Sequence, residues 1–427
     1  MTRAFLLAGE SSGDLQGALL ARELLARQPD LEIYGVGGER MAAEGVRLIR
    51  SSSTLSVVGF SEVVSMLPRL LQALREVRRA IDELQPDVFV PIDYPDFNFR
   101  LLRHVHARRI PIAYYISPQV WAWRAGRIEV LKRYVDRVIV IFPFEEPIYR
   151  ERGVPVTWVG HPLVDRVPEE LDAWRREVRQ RIGIREGHTA RSSQGFSGPT
   201  RSQQPSANSA RLSTDAEESA PENECFDDSA GSSRAVDADA TVGPAIALLP
   251  GSRRSEIRRI APLLQQVREQ IDAGAPGVQW IIGQADAIDR ELLAEIAPGA
   301  ILCPGMEALA AADLAIVASG TATLESLLVG TPSIVVYRTS ALTYEIARRL
   351  VKVPHIAMAN LVAGERVLPE LIQDEADPKQ IARQALEWIR DPSQREAVRS
   401  KLLAARERLG PRGAAGRAAE AVLEVAR

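Results

Sequence analysis

Short apolar runs alternate along this chain with longer stretches in which apolar and charged residues recur at helical spacing. Residues 5–8, 32–37, 87–93, 112–117, 137–142 and 156–160 read as strands, each too apolar for a sheet with one wet face. Helix readings fill the gaps between them, and the alternation predicts a parallel α/β sheet covered on both sides. The pattern stops at Gly160-His161-Pro162, and charged residues dominate to about Glu186. It resumes at 245–253 and continues with strand readings at 278–283, 300–303, 313–319 and 333–338, separated by helices, the first a long one from about Glu256. From about Pro378 to Arg427 the chain reads as helical, broken near Asp391-Pro392 and again around Gly410-Pro411. The expected architecture is therefore two doubly wound halves facing a central cleft, with ligands outside the carboxyl ends of the strands.

Residues 186–243 interrupt this scheme. They are rich in Ser, Ala, Asp, Glu, Gln and Arg and show no periodicity, so they read as a disordered polar insertion looping out from the surface.

Composition narrows the function. A chain of 427 residues with 46% hydrophobic and 26% charged residues suits two or three globular domains, and a net charge of −3 gives no overall case for binding nucleic acid. Cys225 and Cys303 are far apart, and His104 and His106 stand two residues apart, not on one helix face, so no metal site is expected. The apolar run at the start turns polar at Glu10, too soon for a secretion signal, and no uncharged stretch approaches the roughly 18 residues that would span a bilayer. A soluble or peripheral, cytoplasmic protein is expected.

The segment from Asp313 to Leu328 carries the clearest chemistry. An apolar strand runs into Ser319-Gly320-Thr321 and directly into a helix with Glu325 one turn in. Free N–H groups and the positive end of the helix dipole favour an anion there, Gly320 allows close approach, and Thr321 can cap and donate. The same segment taken alone also fits an ordinary capped turn. A second strand end, 248–257, presents a glycine with Arg253 and Arg254, whose forked donors suit a diphosphate. The two together point to a nucleoside diphosphate, with Glu325 placed for ribose hydroxyls.

In the first half, the loop at 8–14 brings Glu10, Ser12 and Asp14 to a strand's carboxyl end, where it reads either as a capped turn or as a substrate loop. Asp93 and Asp96 follow another strand; Asp96 reads as the cap of the next helix, leaving Asp93 free to act as a general base. Trp121 and Trp123, followed by Arg124 and Arg127, read as packing or as a weak sugar and phosphate surface. Residues 57–81 hold Phe60, Val63, Val64, Met66, Leu67, Leu70 and Leu71 among arginines. Core burial would account for that composition, and so would a surface for anionic lipid or acyl chains.

The motifs AGESSGD (8–14), GVGGERM (35–41), PDVFVPIDYPDFN (86–98), YYISPQVWAWR (114–124), PFEEPIY (143–149), VGHPLVD (159–165), LLPGSR (248–253), ASGTATLE (318–325) and LVKVPHIAMANLVAG (350–364) resemble the lipid-A-disaccharide synthase family over nearly all of the chain except 186–243. That resemblance implies the GT-B fold: an N-terminal acceptor and membrane-facing Rossmann-like domain over 1–163, a UDP-sugar-binding one over 164–410, and a last helix, about 411–427, packed back on the first. It implies an inverting transfer from UDP-2,3-diacylglucosamine to 2,3-diacylglucosamine 1-phosphate (lipid X), giving the β-1,6-linked disaccharide 1-phosphate and UDP, with no cofactor. Asp93 would deprotonate the acceptor hydroxyl. Arg253, Ser319, Gly320, Thr321, Glu325 and Asn360 would hold UDP, and Glu10, Ser12 and Asp14 would face the substrate. The 57–71 apolar residues would meet an anionic membrane on the cytoplasmic face of the inner membrane, and a homodimer is compatible with the reading. Two departures stand out: the polar insertion, and AMAN at 357–360 where Leu-Pro is expected before the asparagine. The competing readings are a UDP-sugar 2-epimerase, which needs no acyl surface, and a non-catalytic nucleotide-sugar or lipid-binding protein, disfavoured by the joint presence of Asp93 and Arg253.

Overall fold

The computed structural model describes residues 2–52, 63–118, 126–185, 242–285, 288, 290–340, 344–345, 348–349 and 353–426, with backbone alone for 63–67. The first sheet contains β1 (Arg3–Ala8), β2 (Glu32–Gly37), β3 (Arg47–Ser51), β4 (Val88–Ile92), β5 (Ala113–Tyr115), β6 (Arg137–Val140) and β7 (Val156–Trp158). The second contains β8 (Ala245–Leu249), β9 (Gln279–Gln284), β10 (Ile301–Pro304), β11 (Leu314–Ala318), β12 (Ser333–Tyr337) and β13 (Glu370–Ile372).

Both sheets are parallel, in the orders β3-β2-β1-β4-β5-β6-β7 and β10-β9-β8-β11-β12-β13. In each, the winding reverses between two central strands: β1 and β4, with Ala8 opposite Ile92, and β8 and β11, with Leu249 opposite Val317. Loops leaving such a pair diverge to opposite faces, which opens a crevice at the carboxyl edge. The β1, β4, β8 and β11 side chains are almost entirely buried, as expected for strands covered on both faces.

The helix Leu171–Arg181 is fixed to the second half. Arg175 donates to the Ala312 carbonyl at 2.9 Å and to the Thr331 hydroxyl at 3.0 Å, and Arg179 donates to the Ala311 carbonyl at 2.6 Å, placing cations at helix C-termini. The final helix, Ala414–Val425, returns to the first half, its alanine face against the helix Ser11–Arg27 with Arg27 paired to Glu420 at 3.0 Å. Where the chain passes between halves, its two crossings bind each other: the His161 amide donates to the Leu409 carbonyl at 2.9 Å, Arg417 to the Val159 carbonyl at 2.9 Å, and the Gly413 amide to the Asp165 carboxylate at 2.8 Å. His161, buried against Phe142, has its pKa pushed down to about 3 and stays neutral.

Of the polar insertion expected at 186–243, residues 186–241 lie outside the described residues. Its two flanks share one side chain, since Gln279 accepts from the Arg185 amide at 2.8 Å and donates to the Arg185 and Gly243 carbonyls at 2.9 and 3.1 Å. Phe60, Trp121, Trp123 and Arg124 also lie outside the described residues, as do the side chains of Val63, Val64, Met66 and Leu67. Leu70 packs on the core, whereas Leu71 is 39% exposed on the helix Val63–Leu84.

Candidate functional site at the two sheet switch points

Asp93 stands one residue beyond β4. Its amide still donates to the Tyr115 carbonyl at 3.0 Å, the last bond of that ladder, and then the chain turns left-handed, with φ of +46° at Asp93 and +45° at Tyr94. Two successive non-glycine residues in that region cost about 1–3 kcal/mol each. Side chains stabilise the turn. Asn98 Nδ2 donates to the Asp93 carbonyl at 2.6 Å and the Tyr114 hydroxyl donates to it at 2.8 Å. The Tyr94 ring presses on the first loop so closely that a Cβ at Gly9 would lie 2.1 Å from it, so only glycine fits there.

The carboxyl of Asp93 is half-buried. Burial first, and the charge of Glu10 second, raise its pKa from 3.8 to about 6, against a weaker opposing hydrogen bond from the Tyr94 backbone. A carboxylate with few donors of its own, placed at a strand tip, is suited to accept a proton near neutral pH.

Glu10 precedes the helix Ser11–Arg27 and is exposed, as is Ser12 in its first turn. Asp14, expected to face the substrate, holds a neighbouring loop. It is 6% exposed, and its carboxylate accepts from the amides of Gly38 (2.6 Å), Met41 (3.1 Å) and Arg40 (3.2 Å), fixing the start of the helix Glu39–Ala43. Asp96 is not the helix cap the sequence suggested. Tyr94 holds that position, Pro95 begins the helix Pro95–His106, and Asp96 pairs instead with Arg127, whose guanidinium lies 5.0 Å from the Phe99 ring centre.

In the second half, β11 ends at Ala318 and the Ser319 amide still bonds to the Val336 carbonyl at 3.0 Å. Gly320 then adopts φ +156° and ψ −151°, a region open essentially to glycine alone. A Cβ there would meet nothing within 4 Å. The helix Thr321–Val329 begins with no side-chain cap, so its positive end opens onto that free space. Thr321 is the first helical residue rather than the cap; Thr323 supplies the local hydroxyl bond, to the Gly320 carbonyl at 2.9 Å.

Beside it, β8 leads into Gly251 at φ +114° and an exposed Arg253 that precedes the helix Arg254–Gly274. Glu256 folds back to accept from the Ser252 amide at 3.3 Å, passing so near Gly251 that a Cβ there would stand 2.3 Å from its oxygen. This one-way bond, from the loop amide to the third helical residue, fixes the turn carrying Arg253. Glu325 is half-buried; burial raises its pKa and Arg166 opposes the shift.

Asn360, expected to contact the nucleotide, is tied to the protein itself. It is fully buried, and both ends of its amide are occupied: Nδ2 donates to Leu368 O (2.8 Å) and Glu370 (2.7 Å), while Oδ1 accepts from the Val367 and Leu368 amides at 2.9 and 2.8 Å. Glu370 also accepts from the Ile356 and Ala357 amides at 3.0 and 3.1 Å, so the pair ties the segment before the helix Met358–Ala363 to β13. Among the described residues, no group of three or more His, Cys, Asp or Glu side chains is arranged to hold a metal ion.

Comparison with known proteins gives this geometry a context. A family model described as lipid-A-disaccharide synthetase matches residues 4–190 and 223–422. The lipid-A-disaccharide synthase of Myxococcus xanthus is 39% identical, with 99% of this chain and 97% of that protein covered. The chain belongs to the lipid-A-disaccharide synthase family. The synthases of Syntrophus aciditrophicus and Pseudomonas aeruginosa, at 38% and 35% identity, cover 97% and 99% of the chain. The break in the family match, 191–222, falls inside the polar insertion.

Solved structures show the fold of this synthase family member to be GT-B. Acinetobacter baumannii MurG superposes with a TM-score of 0.54 at 12% identity, covering 99% of this chain and 100% of that one. A UDP-GlcNAc 2-epimerase from Neisseria meningitidis does so equally, at 0.54 and 10%. That second likeness is one of fold only, and synthases at up to 39% identity decide against the epimerase reading.

Proposed function

We propose that this glycosyltransferase moves the diacylglucosaminyl group of UDP-2,3-diacylglucosamine onto the 6-hydroxyl of 2,3-diacylglucosamine 1-phosphate with inversion. Asp93 takes the hydroxyl proton as the oxygen attacks the anomeric carbon; the bond from that carbon to the UDP oxygen breaks, and UDP leaves with the electron pair. Arg253 and the uncapped helix start at Gly320-Thr321 meet the charge developing on the diphosphate, so the reaction needs no divalent metal. Glu10 and Ser12 lie on the acceptor side, and Glu325 faces the nucleoside.

The observation that carries this reading is the half-buried Asp93 at one switch point, its proton affinity raised to the working range by burial and Glu10. The acylated substrates place the protein on the cytoplasmic face of the inner membrane, with the exposed Leu71 toward anionic lipid; no described helix is long and apolar enough to cross a bilayer. The test is purified protein with both substrates in the presence of EDTA. Disaccharide 1-phosphate and UDP should form in equal amounts, and Asp93→Asn should abolish turnover while UDP still binds. Strict dependence on added metal would remove the charge argument, and near-normal turnover of the variant would remove the base.

A further inference from the structure

We propose that Tyr114 and Asn98 are positioning residues that act through the Asp93 main-chain carbonyl to aim the Asp93 carboxylate. The inference rests on the reading of Asp93 as the base and goes beyond it.

The β4–β5 ladder ends at the pair Ile92 and Tyr115. At Asp93 the chain turns left-handed just beyond that ladder, and a part-buried carbonyl there needs another donor. It receives two, the Tyr114 hydroxyl at 2.8 Å and Asn98 Nδ2 at 2.6 Å. Both side chains are fully buried, so neither donor is shared with water. Burial, together with the nearby Asp93 charge, holds the Tyr114 phenol far above its usual pKa, so it remains a donor wherever Asp93 is ionised.

Asn98 shows a second, independent sign. Its Oδ1 is buried and has no hydrogen-bond partner among the described residues. An apolar residue of similar size would fill that place without leaving an orphaned acceptor, and buried amides are seldom kept half-satisfied. What Asn98 retains, beyond filling space, is its bond to the Asp93 carbonyl and a side-chain hydrogen bond with the Tyr114 hydroxyl, the other donor to that carbonyl. Rotation about the Asp93 backbone swings its carboxylate directly, and misplacing a reacting group by about 1 Å lowers rate by roughly 100-fold.

The experiment uses the full-length chain with Tyr114→Phe, Asn98→Leu and the double variant, measuring kcat, KM for both substrates, UDP affinity and thermal midpoint. Active protein is normalised by the stoichiometry of UDP binding. We expect kcat to fall roughly 10-fold in each single variant and roughly 100-fold in the double, with KM and UDP affinity unchanged. Packing loss alone would lower the amount of binding-competent protein but not kcat per binding site. If Asn98→Leu does not fold, Tyr114→Phe, which removes one oxygen atom, carries the test alone. A folded Tyr114→Phe protein with parental kcat, alongside an inactive Asp93→Asn protein, overturns the positioning role and leaves the base in place. An active Asp93→Asn protein overturns the base reading itself.

Discussion

Replacing Asp93 with asparagine should stabilise the protein while silencing it, and the stabilisation should depend on pH. The folded protein holds the Asp93 proton with a pKa of about 6 against a usual value of 3.8. Between those two values the unfolded chain has already released its proton and the folded one has not, so stability falls as pH rises through that window and is level above it. Each power of ten in proton affinity is about 1.4 kcal/mol, and a gap of about two powers of ten makes the full loss about 3 kcal/mol. Asparagine has the shape of the protonated carboxyl and nothing to ionise. Urea unfolding of parent and Asp93→Asn at a series of pH values should therefore give curves that differ little near pH 4 and separate by up to ~3 kcal/mol, variant more stable, by pH 8. Titrating groups not coupled to Asp93 are common to both proteins and cancel in the difference. A difference that does not change across the series would show that burial and Glu10 do not perturb Asp93, and the argument for its basicity would fail with it.

Three further outcomes follow from the same geometry. Glu10→Gln removes the charge that helps to raise the Asp93 pKa, so the rising limb of the kcat/KM–pH profile should move to lower pH; a limb that stays put would separate Glu10 from the base. Asn360→Ala leaves two amides and part of Glu370 without partners and should cost on the order of 3 kcal/mol in urea unfolding, with UDP affinity of the folded protein retained; a selective loss of UDP affinity would restore Asn360 as a ligand. Deleting residues 191–222 should leave turnover and thermal midpoint near parental, because the segment that contains them departs from and returns to one side chain, Gln279; loss of folded protein would refute this.

The two sheets were legible in the sequence because their inner strands are covered on both faces and read as unbroken apolar runs. The strands that escaped notice are both edges. Arg47–Ser51 has two arginines and a serine in five residues and buries none of them fully, because an edge strand meets water, and Glu370–Ile372 is only three residues long. In the site, Asp93 and Gly320 were readable from their places just beyond apolar strands. Asn98 and Tyr114 were not, since a buried tyrosine in a strand or an asparagine early in a helix has no pattern of its own; only the +46° turn at Asp93 gives them a partner.

Asp14 and Asn360 looked like ligands for a related physical reason. Glycine-rich turns at strand ends expose backbone N–H groups, and these can be met either by a bound anion or by a side chain from the protein itself. The structure separates the two cases by counting donors. Asp14 accepts three amides, and Glu370 accepts two amides and the Asn360 side chain, so both are occupied in holding loops. Asp93 and Glu325 are buried without comparable compensation, and in both burial drives the pKa upward. The helix start after Gly320 is the complementary case, a set of donors that no side chain caps among the described residues. An acceptor short of donors in one half and donors short of an acceptor in the other are what a transferase needs, because the first can take the proton of the incoming hydroxyl and the second can hold the departing diphosphate.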